Sequence, residues 1–253
     1  MAQLNKKVID GVAPVTMAEC VMMGDGTTLT VKDKIKSLEL SGGTNKYEGK
    51  KALWLGDSIS EVGSPAYPRY VGNALNMTVT NKASSGGDAV RMRKILQGGA
   101  DETETYPTID VSGFDYVFIM IGHNCDGPYG VTISTASINN IPTDNTPYSD
   151  YPQGYYTDVA SCIEYIWANN QDCQIYLITP IQSTNGRYAP TTVAAQKALK
   201  EIGNFYSIPV IDVYGECGIC KKNITTYTND NIHPNATGVP KIGDYIINYL
   251  LNH

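Results

Sequence analysis

A serine, an aspartate and a histidine in this sequence have the types and spacing that acyl transfer requires. Ser58 follows the apolar run 51–56 within Gly-Asp-Ser, and Asp230 and His233 share one turn near the C-terminus. Such an aspartate can accept the imidazole N–H and fix its tautomer, which leaves the other ring nitrogen to take a serine proton. The sequence therefore predicts a nucleophile at Ser58. Gly-Asp-Ser alone more often marks a strand followed by a helix-capping serine, so the prediction depends on the other residues.

Acyl transfer also needs hydrogen-bond donors for the oxyanion, and two stretches supply them. The first is the small-residue turn 81–87, whose backbone N–H groups are poorly shielded by side chains. The second is Gly122-His123-Asn124, which offers a side-chain amide. We expect both to point into the crevice that Ser58 faces.

The elements that must position these residues alternate between short apolar strands and helices from Lys50 onward. The predicted strands are 52–56, 77–81, 115–121, 174–179 and 209–212, and the predicted helices are 65–75, 87–97, 154–170, 191–206 and 238–251. Such alternation predicts an α/β fold with a parallel sheet and helices on both faces. The carboxyl ends of parallel strands meet at one edge of a sheet. We therefore expect Ser58, the turn 81–87 and Gly122-His123-Asn124 to meet at that edge.

Four sequence blocks, in chain order, resemble those of the SGNH hydrolase superfamily, also called GDSL esterases and lipases. They are Gly56-Asp57-Ser58, the turn 81–87, Gly122-His123-Asn124 and the Asp-x-x-His motif of Asp230 and His233. The resemblance extends from Lys50 to the C-terminus. It implies a flavodoxin-like three-layer α/β/α sandwich with a five-stranded parallel sheet. It also implies roles: a catalytic triad of Ser58, Asp230 and His233, and an oxyanion hole formed by the N–H groups of Ser58 and Gly86 and by the side chain of Asn124. The neighbouring Gly87 is an alternative to Gly86.

One departure from the family pattern lies beside the expected site. The third block commonly continues Gly-x-Asn-Asp, whereas Cys125 follows Asn124 here and Asp126 comes one place later. We expect the local support of the Asn124 loop to differ, and Cys125 to be an inert small residue rather than an oxidisable thiol. His123 is the rival base, but no carboxylate stands at a fixed local spacing from it. The residues expected to line the substrate pocket are Asp57, His123, Cys125 and Tyr129.

Composition excludes several classes of partner. The 253 residues carry a formal net charge of -6 with a pI near 5.0, and no Lys/Arg cluster stands out. This argues against binding to nucleic acid or to an anionic membrane surface. The apolar runs are too short to span a bilayer, and the N-terminus lacks the apolar core of a signal peptide. The sequence thus predicts a protein that is cytoplasmic or associated with a virion or phage tail.

The six cysteines are too few for a disulfide framework in a chain of this length. Cys217-Gly-Ile-Cys220 has redox or zinc spacing, but a second such pair is missing. We therefore expect reduced, mostly buried cysteines, with no metal and no cofactor.

Residues 1–43 differ from the remainder and are predicted to form a small N-terminal appendage with a linker, ahead of a hydrolase domain at 44–253. Thr27–Val31 is β-prone, and Val31, Ile35 and Leu38 have helical spacing. The stretch 25–35 resembles leader segments of some phage tail and virion-attached proteins. The appendage could form a homo-oligomer. It could equally pack on the main domain or be partly disordered.

The sequence as a whole predicts a serine esterase that acts on a short acyl group, such as O-acetyl, carried by a carbohydrate or small molecule. The 18 tyrosines, and the tyrosine-bearing connection from Cys125 to Gln153, favour a sugar-containing substrate. One alternative is a glycan-binding or structural module of a phage tail that carries such a domain. A flavodoxin-like ligand binder is another, but it would need a phosphate-binding loop where Asp57 places a carboxylate.

Overall fold

A five-stranded parallel sheet forms the centre of residues 45–253. The computed structural model describes residues 20–22, 28–30, 45–61, 63, 66–102, 104–126 and 131–253. The chain divides into two units, residues 1–44 and 45–253. In the first unit, strands β1 (Cys20–Met22) and β2 (Thr28–Thr30) pair antiparallel. The predicted helix with Val31, Ile35 and Leu38 lies outside the described residues.

The order of strands in the sheet determines where chemistry can occur. The strands are β3 (Lys51–Gly56), β4 (Thr78–Asn81), β7 (Tyr116–Met120), β8 (Gln174–Ile178) and β9 (Val210–Ile211), and they lie in the order β4-β3-β7-β8-β9. A small antiparallel pair, β5 (Gly99–Ala100) and β6 (Thr105–Tyr106), lies apart from them. Strands β3 and β7 are neighbours in the sheet. After β3 the chain continues to β4 on one flank of this pair, and after β7 it continues to β8 on the other flank. Open α/β sheets place their ligand crevice at the carboxyl ends of such a strand pair.

Eight helices are described in residues 45–253. They are α1 (Ser58–Glu61), α2 (Tyr67–Leu75), α3 (Ala89–Gln97), α4 (Tyr155–Asn169), α5 (Tyr188–Tyr206), α6 (Val213–Glu216), α7 (Ile224–Tyr227) and α8 (Gly238–Asn252). Helices α2 and α8 pack together, and α4 contacts both α3 and α5. The result is a three-layer sandwich. None of the helices in the described part of the chain is long and apolar enough to cross a membrane.

The two faces of the sheet carry different side chains because successive strand residues point to opposite sides. Trp54, Phe118 and Tyr176 are paired across β3, β7 and β8 and stack face to face, with centroids 4.3 Å and 5.3 Å apart. The edge of Tyr67 in α2 meets Trp54, so this aromatic row faces α2 and α8. The other face holds aliphatic residues such as Leu55 and Ile119, which belong to a core cluster with α3, α4 and α5. The sheet is therefore packed between an aromatic layer and an aliphatic layer, which hold the ends of its strands in fixed positions.

The long connection after β7 is anchored to the core. The guanidinium of Arg93 in α3 donates to the carbonyl oxygens of Tyr148, Ser149 and Tyr151 at 2.7–3.1 Å and pairs with the buried Asp158. Tyr151 is buried, and Tyr148 packs against the core cluster. The ring of Tyr151 therefore serves the core, and that of Tyr148 is partly covered by it.

The predicted elements agree with the structure. All five predicted sheet strands and all five predicted helices are present, with ends that differ by at most three residues. The parallel sandwich is thereby confirmed. The helix predicted from 191 begins at Tyr188, one turn earlier.

Candidate active site

Ser58 lies at the carboxyl end of β3, where the buried strand meets the short helix α1. The Oδ1 atom of Asp57 accepts the backbone N–H of Ile59 at 3.0 Å, which forms a tight turn around the serine. Ser58 is only 8% exposed. Its hydroxyl is therefore held at the floor of a crevice instead of rotating in open solvent.

His233 contacts the serine oxygen. The Nε2 atom of His233 lies 2.9 Å from Ser58 Oγ, and its Nδ1 atom lies 2.6 Å from the carboxylate of Asp230. Asp230 also accepts the backbone N–H groups of Ile232 and His233, and Asn231 between them has a left-handed φ of 65°. This local turn explains why an aspartate and a histidine three residues apart meet at their side chains.

The charge state of Asp230 fixes the tautomer of His233. Partial burial raises the pKa of Asp230, but the N–H groups of His233 and its imidazole outweigh burial and hold the pKa below its ordinary value. An ionised carboxylate only accepts, so Nδ1 of His233 carries a proton and Nε2 offers its lone pair to Ser58. The arrangement is suited to removing the proton of Ser58.

Two backbone donors lie near this serine. The N–H groups of Ser58 and Gly86 have no backbone acceptor within the described part of the chain. Gly86 has a φ of +72°, and a Cβ there would meet nothing within 4 Å, so glycine is needed for the backbone angle and not for space. Both N–H groups are available to an oxyanion.

The side chain of Asn124, in the loop after β7, carries a further N–H donor at this pocket. One N–H of its side chain donates to the carbonyl oxygen of Gly87 at 3.0 Å, which orients the amide and leaves the second N–H for a ligand. Gly122 lets this loop approach α5, because a Cβ at that position would lie 2.3 Å from Cβ of Ala195. Asp126, with a left-handed φ of 54°, accepts from the N–H groups of Ile133 and Ser134.

A second Asp-His pair lies beneath the site. Asp57 Oδ2 accepts the backbone N–H of His123 at 3.2 Å and lies 3.3 Å from its Nδ1. Burial raises the pKa of Asp57, but the charge of His123 and the hydrogen bonds from His123 and Ile59 hold the pKa below its ordinary value. The pair joins the serine turn to the Asn124 loop, and neither of its side chains forms a hydrogen bond with Ser58 Oγ. Of the two pocket histidines, only His233 is within reach of the serine.

Replacing Asp57 by Asn should change the pH dependence of stability. Because its folded pKa is depressed, ionised Asp57 stabilises the fold above the unfolded value of about 3.9, and this contribution is lost as pH falls through the folded pKa. Breaking a buried pair costs about 3 kcal/mol. We expect D57N to be less stable by about that amount at pH 7, with the gap narrowing below about pH 4.

Urea unfolding of wild type and D57N between pH 7 and pH 3 measures this gap, since the other carboxylates are common to both proteins. D172N, which changes an exposed aspartate, serves as the control and should follow the wild-type curve. A gap for D57N that stays constant over the whole pH range contradicts the assignment.

The pocket above Ser58 has a volume of about 610 Å³. Its lining comprises Ser58, Gly63, Ser85, Gly86, His123, Asn124, Tyr188, Asn229, Asp230, Ile232, His233 and Pro234. All five residues of the predicted triad and oxyanion hole are therefore at one pocket. Of the predicted substrate-pocket residues, His123 lines it, Asp57 and Cys125 are buried in the protein and do not, and Tyr129 lies outside the described residues.

Sequence reasoning missed several contributors. Tyr188 lines the pocket from the start of α5, and Ile232 does so from between Asp230 and His233. Glu61 accepts the backbone N–H of Ser85 at 2.5 Å. Of these three, Ile232 had a signal in the sequence, because it lies inside the Asp-x-x-His motif, and the other two had none. Gly63, Ser85, Asn229 and Pro234 complete the lining that was not predicted.

Cys125, which follows Asn124, and Cys217 of the Cys-x-x-Cys pair are both buried. Burial raises the pKa of Cys125 well above its ordinary value, and burial raises that of Cys217 to about 11. The described residues contain no group of three or more His, Cys, Asp or Glu that could hold a metal ion.

Comparisons with known proteins agree with the fold. The sequence model of the GDSL-like Lipase/Acylhydrolase family matches residues 54–239. A lipase/acylhydrolase from Enterococcus faecalis is 18% identical, with a TM-score of 0.56 over 80% of this chain and 96% of that one. A catalytic mutant of an acetylxylan esterase from Geobacillus stearothermophilus is 17% identical, with a TM-score of 0.54 over 82% of this chain and 96% of that one. No curated protein sequence matches the chain significantly.

Proposed function

The chain belongs to the GDSL-like lipase/acylhydrolase family, and on that premise we propose that it is a serine esterase that removes short acyl groups through an acyl-Ser58 intermediate. The contact between Ser58 Oγ and His233 Nε2 at 2.9 Å is the observation that carries the proposal. A hydroxyl in that contact, with the imidazole held by a carboxylate, is an activated nucleophile.

The proposed reaction has two halves. Ser58 Oγ attacks the ester carbonyl carbon and its proton passes to His233 Nε2, while the N–H groups of Ser58 and Gly86 and the amide of Asn124 bind the oxyanion. The tetrahedral intermediate collapses, and His233 returns the proton to the leaving alcohol. A water molecule then attacks the acyl-serine with His233 as base, and the acid leaves as Ser58 regains its proton. Asp230 orients the imidazole throughout and stays ionised.

Replacing Asn124 by Ala tests the oxyanion role. Loss of one such donor typically lowers turnover by about 10² to 10³. We expect N124A to lower kcat on p-nitrophenyl acetate by that factor with little change in KM, because the donor acts on the transition state. Asn170, whose side-chain amide donates to Val111 and Phe114 carbonyls away from the pocket lining, supplies the control variant N170A. A kcat for N124A within about twofold of that for N170A removes Asn124 from the mechanism.

The pocket lining favours a small acyl group on a hydroxyl-rich alcohol. Its side chains include polar groups of Ser85, Asn124 and Asn229, while Tyr188, Ile232 and Pro234 supply short apolar contacts. A ring such as Tyr188 is suited to one face of a sugar, and a long acyl chain would need a longer apolar channel. The structural relative described as an acetylxylan esterase points to the same substrate class. We propose O-acetylated carbohydrate as the substrate.

A series of esters tests this proposal. Rates on p-nitrophenyl acetate, butyrate and laurate, and acetate release from acetylated xylo-oligosaccharides, would be compared for the full chain. We expect kcat/KM to be highest for acetyl esters and acetate to be released from the sugar. Preference for laurate contradicts the acyl assignment, and binding of the glycan without any hydrolysis favours the binding-module alternative.

A further inference from the structure

Ser85, the residue before the proposed oxyanion donor Gly86, is held at both of its backbone polar groups. Its N–H donates to Oε2 of Glu61 at 2.5 Å. Its carbonyl oxygen accepts from the Arg91 guanidinium at 3.4 Å, and that guanidinium is itself fixed by Asp101. The peptide groups on both sides of this residue are therefore restrained by side chains.

Glu61 belongs to the same short helix as the nucleophile. Helix α1 begins at Ser58 and ends at Glu61. The carbonyl oxygen of Ser60, one residue earlier, accepts the side-chain amide of Asn81 at 2.7 Å. The end of α1 thus binds the 81–87 turn at two points, and the turn is closed by Gly87 N–H donating to Ser84 at 2.9 Å.

These contacts matter because Gly86 has no side chain of its own to pack, and its φ of +72° is one that few other residues adopt. The Gly86 N–H lies in the same peptide group as the Ser85 carbonyl oxygen, which Arg91 contacts at 3.4 Å. The peptide group before it carries the Ser85 N–H, which Glu61 binds more closely, at 2.5 Å. Displacing a catalytic donor by about 1 Å can cost about 10² in rate.

We propose that Glu61 is a positioning residue for the oxyanion hole: its carboxylate binds the Ser85 N–H and so couples the Gly86 donor to the nucleophile helix. The inference rests on the proposed esterase function. The Glu61 carboxylate makes no hydrogen bond to Ser58 Oγ or to His233, whereas it does bind the 81–87 turn at Ser85.

Whether the rate rises or falls on replacing Glu61 distinguishes a positioning role from a purely electrostatic one. Glu61 is exposed, and its carboxylate binds the Ser85 N–H, one residue before the proposed oxyanion donor Gly86. If Glu61 acted only through charge, removing it would favour the oxyanion and raise the rate. If it positions Gly86, removing its acceptor oxygen lowers the rate, while Gln keeps an acceptor oxygen without the charge.

The test compares Glu61→Ala and Glu61→Gln with wild type on p-nitrophenyl acetate. We expect E61A to lower kcat by roughly 10-fold to 100-fold with KM changed less than about twofold, and E61Q to recover kcat to within about threefold of wild type. The control is Glu48→Ala, another exposed glutamate that accepts a side-chain hydrogen bond, here from Asn76. E48A should retain wild-type kcat.

Hydrogen exchange of the Ser85 amide gives a readout that does not require activity. Its exchange should be faster in E61A than in wild type and slow again in E61Q. If the wild type is active but E61A has an equal or higher kcat, or exchanges its Ser85 amide at the wild-type rate, the inference about Glu61 is wrong. The proposed esterase function stands in that case. An inactive wild type contradicts the proposed esterase function, and the inference falls with it.

Discussion

Replacing Ser58 by Ala should abolish ester hydrolysis. The hydroxyl is the only atom that can form the acyl intermediate, and its proton acceptor lies 2.9 Å away. Removal of such a nucleophile lowers kcat by about 10⁴ or more. Initial rates on p-nitrophenyl acetate measure the loss. Because a methyl group fits where a hydroxyl was, the folded state of S58A should be as stable as wild type in urea.

Ser112→Ala provides the matched control. Ser112 is an exposed serine that precedes β7, at the opposite edge of the sheet from the pocket. S112A should keep the wild-type rate. Equal rates for S58A and S112A on the same ester would falsify the assignment of the nucleophile.

Replacing His233 by Ala should have an effect of similar size. Without the imidazole, Ser58 has no base within hydrogen-bond distance, and the leaving alcohol has no acid. We expect kcat to fall by about 10⁴. Initial rates on p-nitrophenyl acetate measure the loss, and a kcat for H233A within about tenfold of the wild-type value would contradict its role as the base.

Variants of the other two histidines, His123 and His253, test whether His233 is the base. His253 is exposed at the end of α8, where its ring contacts Tyr249, so H253A should keep the wild-type rate. His123 is 1% exposed and bonded to Asp57, with its Nε2 lacking a partner among the described residues. A near wild-type rate in H233A, together with loss of activity in a His123→Gln variant, would assign the base to His123 instead.

Much of the fold could be predicted because the relevant signals are local. Each strand of the sheet is a short apolar run bounded by polar or small residues, and α8 has a regular apolar stripe at Ile242, Ile246 and Leu250. The strand order places the ends of β3 and β7 side by side. The approach of Ser58 to Asn124 follows from that order, and the Asp230–His233 contact follows from their spacing.

The remaining features depend on contacts between distant segments. The Asp57–His123 pair joins residues 66 positions apart, and Tyr188 reaches the pocket from the start of α5. In the long loop, the hydrogen bonds of Arg93 hold the loop backbone against the core, and Tyr151 packs into the core. Composition indicates how many rings exist, but only packing decides which of them face solvent.

Labelling with an alkyl fluorophosphonate tests the central claim most directly, because this probe forms a stable adduct only with an activated serine. Mass spectrometry of the labelled full chain would give the stoichiometry, and peptide analysis would give the site. We predict one adduct per chain, on Ser58, absent in S58A and formed far more slowly in H233A. An adduct on a different residue, or hydrolysis of p-nitrophenyl acetate by a chain that forms no adduct at Ser58, would contradict the account.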